Sequence, residues 1–357
     1  MWEIVDYKQK YLQEMLEMTI ENYGIQNDIS NLTFIKHEYF SNPDGEAFIK
    51  LALDTENNRL AGQYIVVPRK FVINGRFVEC VLSLNTLTRN EYRGQQVFTK
   101  LAEAVYEECK NQKKYFCYGA PNQNSFHGFI KKLDFRNIGD VPLYLKILDP
   151  LRIVCDKIRI PYNDHRSERN KSRRKAGKNK SDIAIVGITN KNVQLFDLFW
   201  EKIKCKYPVT GVRNAKYVKW RYLNVPLRNY CIYMVLEDHL PCGYIIGRIS
   251  EVAGMRCGMI VDFLVDTGRK DVGGLLLKKI IWKFRQYRIG LLGCLMQKEC
   301  EEAICLEKKG FFVCPRKLLP QPFPIILRQF HCLEEKDRVD LENFSHWFFT
   351  MGDYDVI

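Results

Sequence analysis

Apolar and polar positions along this chain follow two periods, and their alternation lays out the elements. Phe71-Val72-Ile73, the dipeptide Asn74-Gly75 and then Arg76–Leu87 predict a β-hairpin, because Asn-Gly between apolar runs is the strongest short hairpin signal. In the second arm, strand parity places Glu79, Val81, Ser83, Asn85 and Leu87 on one face. Cys80, Leu82, Leu84 and Thr86 fall on the other. The first face is mixed polar and suits either the wall of a cleft or an ordinary solvent-facing row. A helix over Gln96–Lys110 follows, with Val97, Phe98, Leu101, Ala102, Val105 and Tyr106 on one buried face. Next come a short apolar strand at Tyr115–Ala120, a helix at Phe126–Lys132 and a strand near Val141–Ile147.

The pattern then repeats. Phe34-Ile35-Lys36-His37-Glu38-Tyr39 with Pro43 recurs as Tyr217-Val218-Lys219-Trp220-Arg221-Tyr222 with Pro226, at a constant offset of 183 residues. Ala61-Gly62-Gln63-Tyr64 is echoed by Cys242-Gly243-Tyr244. Two domains of one fold follow from this, and 357 residues with 46% apolar content suffice for two cores. No long uncharged apolar run appears, so no membrane span is expected. The first residues have neither a basic stretch nor an apolar core of the signal-peptide kind. Thirteen scattered cysteines with no Cys-x-x-Cys pair suit reduced thiols in a cytosolic protein, without a metal site or disulfide framework.

Charge changes the picture in one place. Between His165 and Lys180 stand eight Lys or Arg against Glu168 alone, more than half of the net charge of +13. The run lies between the repeats and lacks apolar spacing. It reads as a linker, or as a clamp for an anionic partner. It carries no aromatic residue, which disfavours a base-stacking nucleic-acid platform.

The candidate chemistry sits at Thr86–Leu101, TLTRNEYRGQQVFTKL. A loop opening a helix presents free N–H groups and the positive end of the helix dipole to one point, a seat for a phosphate. Arg93 adds charge beside it, and Gly94 allows close backbone approach.

Strand, Tyr92-Arg93-Gly94-Gln95 loop and helix together resemble motif A of the GNAT superfamily of acyl-CoA-dependent N-acyltransferases, patterned Arg/Gln-x-x-Gly-x-Gly/Ala. Glu91 stands where Arg or Gln is commoner, and Gln96 replaces the second small residue, where its side chain would crowd a pyrophosphate. The resemblance implies an α/β (α+β) fold of two tandem GNAT-like domains, each a mixed, mostly antiparallel sheet flanked by helices. It divides the chain into 1–150 with the acyl-CoA site, a basic linker 151–182, a degenerate copy 183–330 and an aromatic, acidic tail 331–357. Acetyl-CoA, or another acyl-CoA, would be held by Thr86, Leu87 and Thr88 at the strand end and by Arg93, Gly94, Gln95, Gln96, Val97 and Phe98. Asn122 or Asn124 would contribute after the next strand. Backbone groups at Leu87 and Thr88 would polarise the thioester, and Glu79 would take the amine proton, with Ser83 and Asn85 on its face. The family's usual tyrosine acid falls at Ile130, which leaves Tyr118 or His127 as donors.

In the second copy, Asp266-Thr267-Gly268-Arg269-Lys270-Asp271 has the wrong spacing and two acids that repel pyrophosphate. The motifs Tyr-Arg-Gly, Pro-Asn-x-Asn-Ser and Phe-Thr-Met-Gly-Asp-Tyr-Asp resemble GNAT proteins of bacterial surface-polysaccharide synthesis, which implies an amino-sugar amine as acceptor. Two alternatives stay open. One is a Fem-type transferase using aminoacyl-tRNA. The other is a non-catalytic module that binds acyl-CoA or an anion.

Overall fold

The computed structural model describes residues 1–158, 160, 182–252, 254–319, 321–334 and 339–354; the basic run Arg166–Lys180 lies outside them. The first half runs β1 (Trp2–Asp6), α1 (Leu12–Tyr23), α2 (Leu32–Phe40), β2 (Phe48–Asp54), β3 (Arg59–Ile73), β4 (Arg76–Thr88), α3 (Val97–Asn111), β5 (Phe116–Gly119), α4 (Gln123–Lys132), β6 (Arg136–Asp140) and β7 (Leu143–Ile147). After α5 (Pro150–Ile158) come β8 (Ile183–Gly187), α6 (Leu195–Ile203), β9 (Val209–Gly211), α7 (Ala215–Val218), β10 (Tyr230–Glu237), β11 (Leu240–Val252) and β12 (Met255–Val265). The chain closes with α8 (Lys270–Gln286), β13 (Leu291–Leu295), α9 (Glu301–Lys308), β14 (Phe312–Val313), β15 (Pro324–Gln329) and β16 (Trp347–Phe348).

Two mostly antiparallel sheets result. The first has the order β1-β2-β3-β4-β5-β15-β6, with β9 and β16 attached through β3; the second has β14-β7-β13-β12-β11-β10-β8. The expected hairpin is β3–β4, and both Asn74 and Gly75 turn it with positive φ, 45° and 85°, as a type I′ turn requires. Helix α3 buries Val97, Leu101, Ala102, Val105 and Tyr106, five of the six expected positions.

The sheets exchange a strand. β7 from the first half lies between β13 and β14, while β15 from the second half lies between β5 and β6. Each sheet is therefore completed by a strand from the other half, as in a swapped dimer made continuous. The sequence repeat is visible as symmetry at the contact. His37 and Trp220, 183 residues apart, stack with ring centroids 6.0 Å apart. A His37 ring nitrogen donates to Trp220 O at 2.9 Å, and Trp220 Nε1 donates to His37 O at 3.1 Å. Equivalent residues bonding each other reciprocally are the mark of a two-fold interface.

One core runs between the sheets and through both halves, while a second fills the space between the first sheet and α3 and α4. The tail joins the large core: Trp347, Phe348, Phe349, Met351 and Tyr354 are buried, and β16 pairs with β9.

Candidate functional site

The site begins where a strand changes register. β3 and β4 pair as Gln63↔Leu87 and then as Ile65↔Leu84, so β4 carries an extra residue at the bulge. Asn85 occupies it in the left-handed region, φ 45°. The bulge inverts the expected parity. Ser83 Oγ donates to Tyr64 OH on the α3 side at 3.4 Å, whereas Asn85 Nδ2 donates to Tyr39 OH on the α2 side at 2.6 Å. Ser83 and Asn85 thus face opposite ways, against the single polar face read from the sequence.

Beside the bulge the sheet opens. β4 and β5 pair in parallel only at Val81↔Cys117 and Leu82↔Tyr118. Beyond that point Ser83–Thr86 are half-exposed, although their strand is central. Leu87 is buried, Thr88 pairs with Gly62, and Thr86 Oγ1 is a buried atom with no partner.

The loop that follows β4 carries free donors. Gly94 and Gln96 have φ of 82° and 63°. Gln95 N donates back to Tyr92 O, and the first helical bond is Lys100 N to Gln96 O. Among the described residues, the N–H groups of Gly94, Gln96, Val97, Phe98 and Thr99 find no acceptor. A Cβ on Gly94 would meet nothing within 4 Å, and Arg93 is exposed and outside every ion pair of the described residues. A free cation, open space and unsatisfied N–H groups suit a phosphate.

Tyr92 anchors the loop by donating to Asp54 Oδ2 at 2.5 Å. That bond, with N–H groups of Glu56 and Asn57, holds the Asp54 carboxyl down at about 2. A depressed carboxylate contributes stability above its unfolded value near 4 and loses it as pH falls through about 2. Tyr92→Phe is therefore expected to move the Asp54 titration up from about 2 toward 4, read by NMR of its side-chain carbonyl. An unmoved midpoint would mean that Tyr92 does not hold the loop this way.

The other expected residues are placed apart. Glu79 lies near the hairpin turn, about 20 Å along the strand from the bulge. It pairs with Lys114 at 2.6 Å and Lys70 at 3.7 Å, and the Lys114 bond keeps its carboxyl below the ordinary value. Tyr118 is buried in the core, donates to Asp353 O at 2.6 Å, and has its pKa raised by burial. Asn122 is the N-cap of α4, accepting from Ser125 N at 3.0 Å. Asn122, Asn124 and His127 line an open cavity of about 470 Å³ with Phe126, Asp140 and Pro324. Burial pushes the Cys80 and Cys117 thiols up, which argues against a thiolate nucleophile there. Gln63 and Tyr39 are not among the residues the sequence singles out for chemistry, and the one signal at Tyr39 is its recurrence as Tyr222.

The second copy is filled by its own side chains. Gly268 N donates to Glu301 Oε2 at 3.1 Å and Val265 N to Glu302 Oε1 at 3.0 Å. Lys206 and Tyr207 hold the fully buried Glu302 at 2.8 and 2.5 Å. Arg269 is bound by Glu237 and Asp271. The carboxylate of Glu301 takes an N–H that an anion would need, and the cation is already neutralised.

Among the described residues no helix is long and apolar enough to cross a membrane, and no group of three His, Cys, Asp or Glu is placed to hold a metal. No curated protein matches the chain. Among solved structures, a GCN5-related N-acetyltransferase from Anabaena variabilis is similar at 12% identity and TM-score 0.64, over 93% of this chain and 73% of that one. One from Kribbella flavida is similar at 11% and 0.61, over 92% and 71%. Saccharomyces cerevisiae N-myristoyltransferase with bound myristoyl-CoA is similar at 11% and 0.60, over 91% and 82%. At such identities the likeness is one of fold. Residues 3–136 match the family model described as acetyltransferase (GNAT) domain, and the bulged strand, the parted β4 and β5 and the donor-rich loop before α3 all lie within that matched segment.

Proposed function

We propose that this protein transfers an acyl group from CoA to an amine of a small molecule, and that its first repeat alone takes the acyl-CoA. The observation that carries the reading is the contrast between the two loops. Five N–H groups beside Arg93 are without acceptors, whereas in the second loop Gly268 N is taken by Glu301 and the cation Arg269 is neutralised by Glu237 and Asp271. Arg93, Gly94 and the N–H groups from Gln96 to Thr99 would hold the pyrophosphate. Ser83–Thr88 would line the pantetheine arm. Asn124 is better placed than Asn122 to offer its side-chain carbonyl, since that of Asn122 is spent on a helix cap.

Bound acyl-CoA supplies an activated thioester. The amine's lone pair forms the C–N bond, the C–S bond breaks with its electrons on sulfur, and the departing thiolate takes the surplus N–H proton. Glu79 is too far along the strand and too well neutralised to serve directly. The repeats act as one tandem unit because each sheet depends on a strand from the other half. An amino sugar as acceptor rests on the sequence resemblance alone, and a cytosolic location on the scattered cysteines.

Calorimetric titration of acetyl-CoA into the full chain tests the reading. One site is expected. Gly94→Trp should weaken it at least about 100-fold, some 2.7 kcal/mol, by placing a side chain in the open space beside the donors. Gly268→Trp, at the equivalent left-handed glycine with equally open surroundings, should leave it intact. Two sites would overturn the assignment of the second copy. Absence of binding would overturn the CoA reading and favour an aminoacyl-tRNA donor.

A further inference from the structure

The two repeats treat one strand position at or beside the bulge differently. Gly62 and Gly243 set the equivalence. A Cβ on Gly62 would press on Val97 and Leu87 O, and one on Gly243 on Val272 and Leu264 O. Two residues before those leucines stand Asn85 and Asp262. Tyr39 and Tyr222, 183 residues apart, bond them in turn: Asn85 Nδ2 donates to Tyr39 OH at 2.6 Å, and Tyr222 OH donates to Asp262 Oδ2 at 3.4 Å. Asn31 and Asn214, at the same offset, cap α2 and α7 with their side chains. The residues before these caps are Ser30 and Arg213.

In the second repeat the position is full. Arg213 Nε donates to Asp262 Oδ2 at 3.1 Å, Thr350 Oγ1 to Oδ1 at 3.1 Å and Tyr244 OH to Oδ2 at 3.0 Å. In the first repeat a serine stands where the arginine would be. Three buried oxygens are left without partners there: Ser30 Oγ, Gln63 Oε1 and Asn85 Oδ1. Gln63 is 1% exposed. Its Nε2 donates to Asn85 O at 3.1 Å, which assigns the free atom as the carbonyl oxygen. Thr19 spends its hydroxyl hydrogen on Met15 O and so accepts from Asn85 Nδ2 at 3.5 Å. The free atom of Asn85 is then also an acceptor. Each unpaired buried acceptor is costly, and Gln63 Oε1 and Asn85 Oδ1, on side chains joined through the Gln63 Nε2–Asn85 O bond beside the parted strands, call for a donor.

We propose that Gln63 Oε1 and Asn85 Oδ1 bind the acceptor's nitrogen, with its N–H groups donating as Arg213 and Thr350 donate to Asp262. The ligand class is a primary amine. This rests on the acyl-transfer reading of the first repeat. The change from Asp262 to Asn85 carries chemical sense. A carboxylate would strongly stabilise the ammonium form, whereas two neutral amide oxygens raise the nitrogen's pKa far less, and the attacking amine must be unprotonated. Entry is along half-exposed Ser83–Thr86.

The test uses crystals of the full chain grown with CoA and soaked in methylammonium chloride. A nitrogen is expected within about 3.2 Å of both Gln63 Oε1 and Asn85 Oδ1. Gln63→Leu should lose it. The double variant Ser30→Arg with Asn85→Asp, which installs the second repeat's arrangement in the first, should lose it too, and Gln63→Leu should keep the calorimetric CoA affinity within about twofold of the parent. No nitrogen in parent crystals that hold CoA, or one that persists in Gln63→Leu, would overturn this subsite and leave the acyl-CoA reading standing. Failure of the parent to bind CoA would remove the acyl-transfer reading and its acceptor together.

Discussion

Arg213→Met is expected to destabilise the protein by about 3–5 kcal/mol, the range for removing one partner of a buried ion pair. Arg213 is 2% exposed and holds β9 and β12 to the tail. It donates to Asp262 on β12 at 3.1 Å, to Asp353 of the tail at 2.5 Å and to Gly211 O of β9 at 2.7 Å. Methionine keeps most of the volume, so the loss reports charge rather than a cavity. Two buried carboxylates would remain, and burial already raises the pKa of Asp262. The pH dependence follows from that sign. A carboxyl whose folded-state pKa is raised favours protonation in the folded state, so stability is lost as pH rises from the unfolded value toward the folded one. Without Arg213 the rise is larger. The deficit should be smallest near pH 4 and grow toward neutrality. Urea denaturation across that range measures it, and adding Asp262→Asn with Asp353→Asn should recover part of the loss. A deficit below about 1 kcal/mol at pH 7 would show that the network does not lock the tail.

Trp347→Ala is the second large effect, about 3–5 kcal/mol, as for other buried aromatic truncations. Trp347 is 1% exposed. Its ring lies 5.5, 5.8 and 6.5 Å from those of Phe71, Phe116 and Tyr118, and its Nε1 donates to Leu341 O at 3.1 Å. The contacts with β5 place it under a strand that borders the gap, so tail packing and site geometry are linked. Loss of cooperativity together with stability would mean that the tail is part of the folding unit. A loss below about 1 kcal/mol in denaturant unfolding would show that the tail merely lies on the surface of the core.

What the chain determined by itself is local. The Asn-Gly hairpin, the buried stripe of α3 and the left-handed glycine before it were legible because steric rules and short periods act within a few residues. The 183-residue offset was legible too, and the reciprocal His37–Trp220 contact is its spatial consequence. Only the tertiary structure decided the rest. The sequence marks Val141–Ile147 as strand-like without naming a partner and leaves Pro324–Gln329 unmarked, and each of the two strands formed there pairs in the sheet of the other half. One extra residue in β4 reverses which side Asn85 faces, because side chains alternate with a period of two. Glu301 and Glu302 are distant in sequence from the loop they fill, and Tyr118 is turned from a candidate acid into a support for the tail by Asp353, 235 residues away. Such long-range pairings are settled by which groups can satisfy one another once water is excluded.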